Sequence, residues 1–194
     1  MDDETRSAPS ESAWLLAAPS LGGEDGARLH VTLGGRYVSL LRVRGQVYAI
    51  DSICYHAGGP LGAGDIEEIV VDSTRRVPCV RCPWHHYLLS LVDGEKWYSA
   101  LERDADGKLV PAGWKSSDCT LQRVHQVQER RDGIYVRVSP GDARSDKYAF
   151  RADCAAGLGG AGGRRGTRRG LRIGGDGRLP SGRIFSRQAP SSSS

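Results

Sequence analysis

The sequence predicts an all-β domain flanked by loose N- and C-terminal segments, and three observations carry that expectation. Short β-type apolar runs follow one another with turn residues between them. The closing stretch, Thr120 to Gln128 and then Gly133 to Val138, has the pattern of a hairpin. The composition, 39% hydrophobic, 7% aromatic and 26 Gly in 194 residues, suits one modest core and argues against a helical bundle.

In chain order, residues 1–26 mix Ser, Ala, Pro, Gly and acidic side chains without sustained periodicity, so a flexible lead-in is expected. Its Trp14-Leu15-Leu16-Ala17-Ala18 patch follows an acidic start and does not read as a signal peptide. A folded domain is expected over 27–140. Within it, His30 to Leu33 and Tyr37 to Val43 flank a Gly34-Gly35 turn, and Val47 to Ile50 follows Arg44-Gly45-Gln46, which makes an antiparallel meander. Residues 54 to 64 hold too many Gly for a helix and too little alternation for a strand, so they form a shaped loop. Further short strands are expected at Val77 to Cys82, Tyr87 to Val92 and Trp97-Tyr98. Ala100 to Asp118, with Asp106-Gly107 and Pro111 as breakers, reads as a surface excursion. Residues 141–194 turn into Gly, Arg, Ala and Ser, the composition of a disordered tail.

Charge divides along the same boundary. Residues 151 to 194 hold nine Arg against two Asp, while the whole chain carries +4, so the body is mildly acidic. Nucleic-acid contact is therefore expected only through the tail, where Arg164-Arg165-Gly166-Thr167-Arg168-Arg169-Gly170 offers charge and guanidinium stacking. No apolar run is long enough to cross a bilayer, so no membrane insertion is expected. Five Cys, an odd number, argue for a reducing, cytoplasmic setting and for metal chemistry over a disulfide framework.

That chemistry concentrates in Cys54-Tyr55-His56 and Cys82-Pro83-Trp84-His85. Each segment offers one thiolate and one imidazole from a loop, and two such loops face to face make a mixed sulfur and nitrogen site, which suits either zinc or an iron-sulfur cluster. The Gly58-Gly59 pair lets backbone amides approach inorganic sulfides, Pro60 stiffens the turn, and Leu61 shields the site. The fragment Cys-x-His-x-Gly-Gly-Pro-Leu followed by Cys-Pro-Trp-His resembles a Rieske-type 2Fe-2S domain, from about Arg28 to Val138. With Gly64-Asp65-Ile66-Glu67, Pro78-Cys79 and Arg123-Val124-His125, it is most similar to the small stand-alone Rieske proteins of animals.

The resemblance implies three small antiparallel sheets, with two loops clamping one cluster at an exposed tip. It implies Cys54 and Cys82 on one iron and His56 and His85 on the other. It also implies one-electron transfer with an unidentified redox protein as donor or acceptor, the loop tip from Tyr55 to Pro60 with His85 and His86 serving as the docking surface. High-potential relatives add a disulfide beside the loops and hydroxyl donors after the second His. Gly59 and Trp84 stand at the disulfide positions here, and His86-Tyr87-Leu88-Leu89 replaces the hydroxyl run. A midpoint around −150 mV is expected.

Other readings attach to the same residues. Cys79-x-x-Cys82 has a zinc spacing, but Cys79 falls in a β run and reads as a small buried residue. His86 is expected on the surface, pointing away from His85 in an extended segment. His30 and His125, in strands, are expected to be structural, and Cys119 and Cys154 have no assigned role. Gly157-Leu158-Gly159-Gly160-Ala161-Gly162 matches a dinucleotide fingerprint without its flanking strand and helix. Rieske domains also serve as electron-entry modules of aromatic-ring oxygenases and nitrite reductases. Because no His follows Val138, the chain is expected to be at most a component of such a system and not a stand-alone enzyme.

Overall fold

The computed structural model describes residues 13–140, 143–156 and Leu158. The meander forms as its pattern predicts. β2 (Arg28–Leu33), β3 (Arg36–Val43) and β4 (Gln46–Asp51) pair antiparallel through Gly34-Gly35 and Arg44-Gly45, each turn having positive φ at both residues, the geometry that matches strand twist. β10 (Val124–Arg130) and β11 (Gly133–Arg137) close the domain as a hairpin.

Two sheets are present among the described residues, not the expected three. β10 pairs its first residues, Val124 and His125, with β4 and its later residues with β11. That shared strand fuses two small sheets into one of order β1-β11-β10-β4-β3-β2. The other sheet runs β5 (Asp65–Val70), β6 (Arg76–Arg81), β7 (Leu88–Ser90), β8 (Lys96–Arg103), β9 (Leu109–Ser116). Leu41, Ile50, Leu61, Val80, Leu89 and Leu91 fill the core between them, together with Cys54 and Cys82. The two cysteines are thus part of the buried core.

Three regions depart from the sequence expectation. The apolar patch of the lead-in is a strand, β1 (Trp14–Ala18), registered against β11 with a bulge between Leu16 and Ala18. Leu15 and Ala17 pack on the core of the larger sheet, and the guanidiniums of Arg130 and Arg137 lie over the Trp14 ring. Ala100 to Asp118 is mostly a regular hairpin, β8 and β9, turned by Asp104, whose carboxylate accepts the amides of Asp106 and Lys108. Pro111 is tolerated because β9 is an edge strand.

The third departure lies past Pro140. A 3-10 turn over Arg144–Lys147 and the short helix α1 (Ala152–Ala156) pack back onto the domain as a strap, with Ser145 fully buried and Cys154 and Leu158 packed with Ile53. The dinucleotide-like stretch beyond Leu158 and the Arg-rich segment lie outside the described residues, as do residues 1–12.

Candidate metal centre

The two candidate loops are built on one backbone plan. In the first, the Cys54 amide donates to Gly59 O (2.8 Å) and Gly58 N donates back to Cys54 O (2.9 Å). In the second, Cys82 N donates to Tyr87 O (2.9 Å) and His86 N to Cys82 O (2.9 Å). Each cysteine therefore opens a closed turn whose fifth residue must be left-handed: Gly58 has φ 74° and His86 has φ 58°. His86 is exposed as expected, but through this turn and not through strand alternation.

The turns gather donors around the sulfurs. Cys54 Sγ accepts the amides of His56 and Ala57, and Cys82 Sγ accepts those of Trp84 and His85. The two thiols also meet each other. Their contact lets one thiol share its proton with the other sulfur, which favours ionisation of Cys82 although burial opposes its charge. The Cys54 thiol is pushed far up by that same contact and by burial. Outside this core the imidazoles of His56 and His85 are exposed, with ring centroids 4.6 Å apart at 86°. Tyr87 flanks them, 4.7 Å from the His56 ring and stacked on Tyr55 at 6.3 Å.

A pair of buried sulfurs wrapped in amide donors beneath a pair of exposed imidazoles suits a two-metal cluster. Cys79 does not join it. Cys79 and Cys82 are three residues apart at the end of β6, so their side chains leave on opposite sides. Cys79 packs with Ile69, Val77, Leu88 and Trp97, where burial pushes its thiol up to about 12. Cys119 is exposed, and Cys154 is buried against the first loop, its thiol donating to Gly58 O. His30 and His125 are structural: His30 Nδ1 bonds Ser39 Oγ at 2.8 Å, and His125 is enclosed between Asp51 and the Ser139 amide. Gly59 and Trp84 touch, with the space for a Gly59 Cβ lying 3.0 Å from the indole.

Sequence reasoning missed the residue that shapes the first loop. Gln122, fully buried, donates to Asp51 O (3.0 Å) and Ile53 O (2.8 Å) and accepts from Tyr55 N (2.8 Å). It thereby satisfies three backbone groups on either side of Cys54 that no strand pairs. The available signal was weak: Gln122 stands between Leu121 and Arg123 in an ordinary mixed segment that leads into β10. The second loop is braced by Arg81, which donates to His86 O and is paired with Glu67 through Nη2 and Oε2 at 2.6 Å.

Comparison with known proteins places these features in context. The sequence signature of the family described as soluble Rieske-type ferredoxin matches residues 24–141. The human Rieske domain-containing protein is 37% identical over 125 residues, 63% of this chain and 74% of that one. Among solved structures, the ferredoxin of carbazole 1,9a-dioxygenase from Nocardioides aromaticivorans IC177 is 18% identical with a TM-score of 0.44, over 66% of this chain and all of that one. The terminal oxygenase of carbazole 1,9a-dioxygenase from the same organism gives 23% and 0.44, over 68% of this chain and 32% of that one.

Proposed function

The chain belongs to the soluble Rieske-type ferredoxin family, and on that premise we propose that it holds one 2Fe-2S cluster with Cys54 and Cys82 on one iron and His56 and His85 on the other. When bound, such a cluster accepts and returns one electron. The chain itself supplies the enclosure. The observation that carries this reading is the pairing of two turns closed by the same backbone hydrogen bonds, each placing a cysteine in the core and a histidine at the surface.

Each residue type has a physical task. The buried sulfurs keep the metal-sulfur bonds away from water, and the four amides on them offset thiolate charge. Leu61, buried with both cysteines, fills the space behind them. The exposed imidazole edges provide the route by which an electron passes to a redox protein, the class of donor and acceptor proposed here. Among the described residues no helix is long and apolar enough to cross a membrane.

Iron and acid-labile sulfide assays with electron paramagnetic resonance of the dithionite-reduced, anaerobically prepared protein test the assignment. Two irons, two sulfides and a signal with nitrogen couplings from two histidines are expected. Stoichiometric zinc without that signal rejects the cluster. Replacement of Cys54 or His85 should abolish the intact cluster, and a variant with the wild-type visible spectrum removes that residue from the ligand set.

A further inference from the structure

Beside the exposed His56 ring, the strap and the first loop enclose a cleft of about 410 Å³ lined by Tyr55, His56, Ala143, Arg144 and Lys147. Both cations are exposed, and among the described residues neither is engaged in an ion pair; the Lys147 ammonium lies 5.1 Å over the Tyr148 ring. They stand on a fixed platform. Between them, Ser145 Oγ donates to Asp51 (3.0 Å) and accepts the Arg123 amide (2.9 Å), while Ser145 N donates to Leu121 O. Asp146 is clamped by Arg36 and Arg123, each at 2.6 Å.

This turn lies past residue 141, outside the segment matched to the family, so the family match does not account for the charge it brings to the tip. Residues 13–150 balance seventeen acidic against seventeen basic side chains, so the charge a partner meets there is set by where those side chains lie and not by the net charge of the body. Two exposed cations, in no ion pair among the described residues, make the surface beside a histidine locally positive where an electron leaves. Their donors are exposed side chains on a rim, with an aromatic ring and an imidazole in the same cleft, an arrangement that suits a protein interface.

We propose that the cleft between the first loop and the strap is the docking site for an acidic face of the redox partner, with Arg144 and Lys147 pairing its carboxylates while it rests against His56. This rests on the cluster assignment above, and the test separates the two. The reduced protein is mixed in a stopped-flow instrument with ferricyanide or with tris(phenanthroline)cobalt(III), each of which takes one electron and leaves the cluster oxidised. In the wild type the ferricyanide rate should fall, and the cobalt rate rise, as salt is added. The double variant Arg144→Glu, Lys147→Glu should slow ferricyanide by about fivefold or more at low salt, speed the cobalt complex, and match the wild type at high salt. The pair Lys108→Glu, Arg131→Glu, two exposed cations elsewhere on the surface, makes the same change in net charge and should have little effect.

A polyglutamate peptide should slow wild-type oxidation by ferricyanide and leave the Arg144, Lys147 double variant unaffected, whereas inorganic phosphate at equal ionic strength should not compete. Equal competition by phosphate reassigns the cleft to small anions and overturns the protein-docking proposal. So do equal rates in the double variant and wild type, when both show the same resonance spectrum. If the wild type itself lacks the two-histidine signal, it is the cluster assignment that has failed.

Discussion

His86 carries the clearest residue-scale consequence. Its left-handed backbone, at φ 58°, is imposed by the turn that places Cys82 and His85, and the first loop meets the same demand with Gly58. A side chain with a Cβ costs about 1–2 kcal/mol there, and β-branching adds to the crowding. His86→Gly should therefore keep or raise thermal stability, by up to about 1 kcal/mol, while His86→Val should lose about 1–2 kcal/mol and release iron faster. Equal melting temperatures for the Val variant and the wild type would dismiss the shared-turn argument. Gln122 makes the second such case. Truncation to Ala strands two carbonyls and one amide around Cys54, a loss of about 2–4 kcal/mol in chemical denaturation. Gln122→Glu, which keeps the acceptor and removes both donors, should not recover it.

At the scale of elements, two polar networks hold the first loop and the strap, and each responds to pH with its own window. The strap is pinned through Asp146. Burial opposes its charge, but hydrogen bonds from Arg123, the Ala143 amide and Arg36 outweigh that and hold the carboxyl down at about 2. A depressed carboxylate stabilises the fold at any pH above its unfolded value near 3.8 and loses that contribution as pH falls through about 2. With a third of the side chain exposed, the effect is about 1 kcal/mol. His30 acts in a higher window. It bonds Ser39, which bonds Ser52 at 2.6 Å, and Ser52 O in turn accepts Gly62 N from the first loop. Burial and then the Arg28 charge hold His30 down at about 4, so between 6.5 and 4 the unfolded chain binds the extra proton and stability falls with falling pH. Urea titrations across pH should show both steps. His30→Gln should erase the upper step only, and a variant that retains it would show that another group is responsible.

Over the whole molecule, what the sequence made legible is what is locally encoded. The meander and closing hairpin announce themselves by alternation and turn residues, and the candidate ligands by two Cys and His pairs a few positions apart. β1, the strap and Gln122 were not legible, because their roles depend on partners far along the chain: Leu15 against Val136, Ser145 against Asp51, Gln122 against Tyr55. The redox potential lies between these cases. Replacing two thiolates by neutral imidazoles removes two negative charges and eases reduction relative to an all-cysteine cluster. Four backbone amides on the sulfurs act in the same direction. After His85, however, the chain continues into His86 and Tyr87 and then Leu88 and Leu89, both buried in the core, where high-potential domains add hydroxyl donors. With the imidazoles exposed to water and those added donors missing from the sequence, the midpoint should sit near the low end of the Rieske range, about −150 mV. A titration monitored by electron paramagnetic resonance measures it directly. A midpoint well above zero would overturn the low-potential reading of these loops.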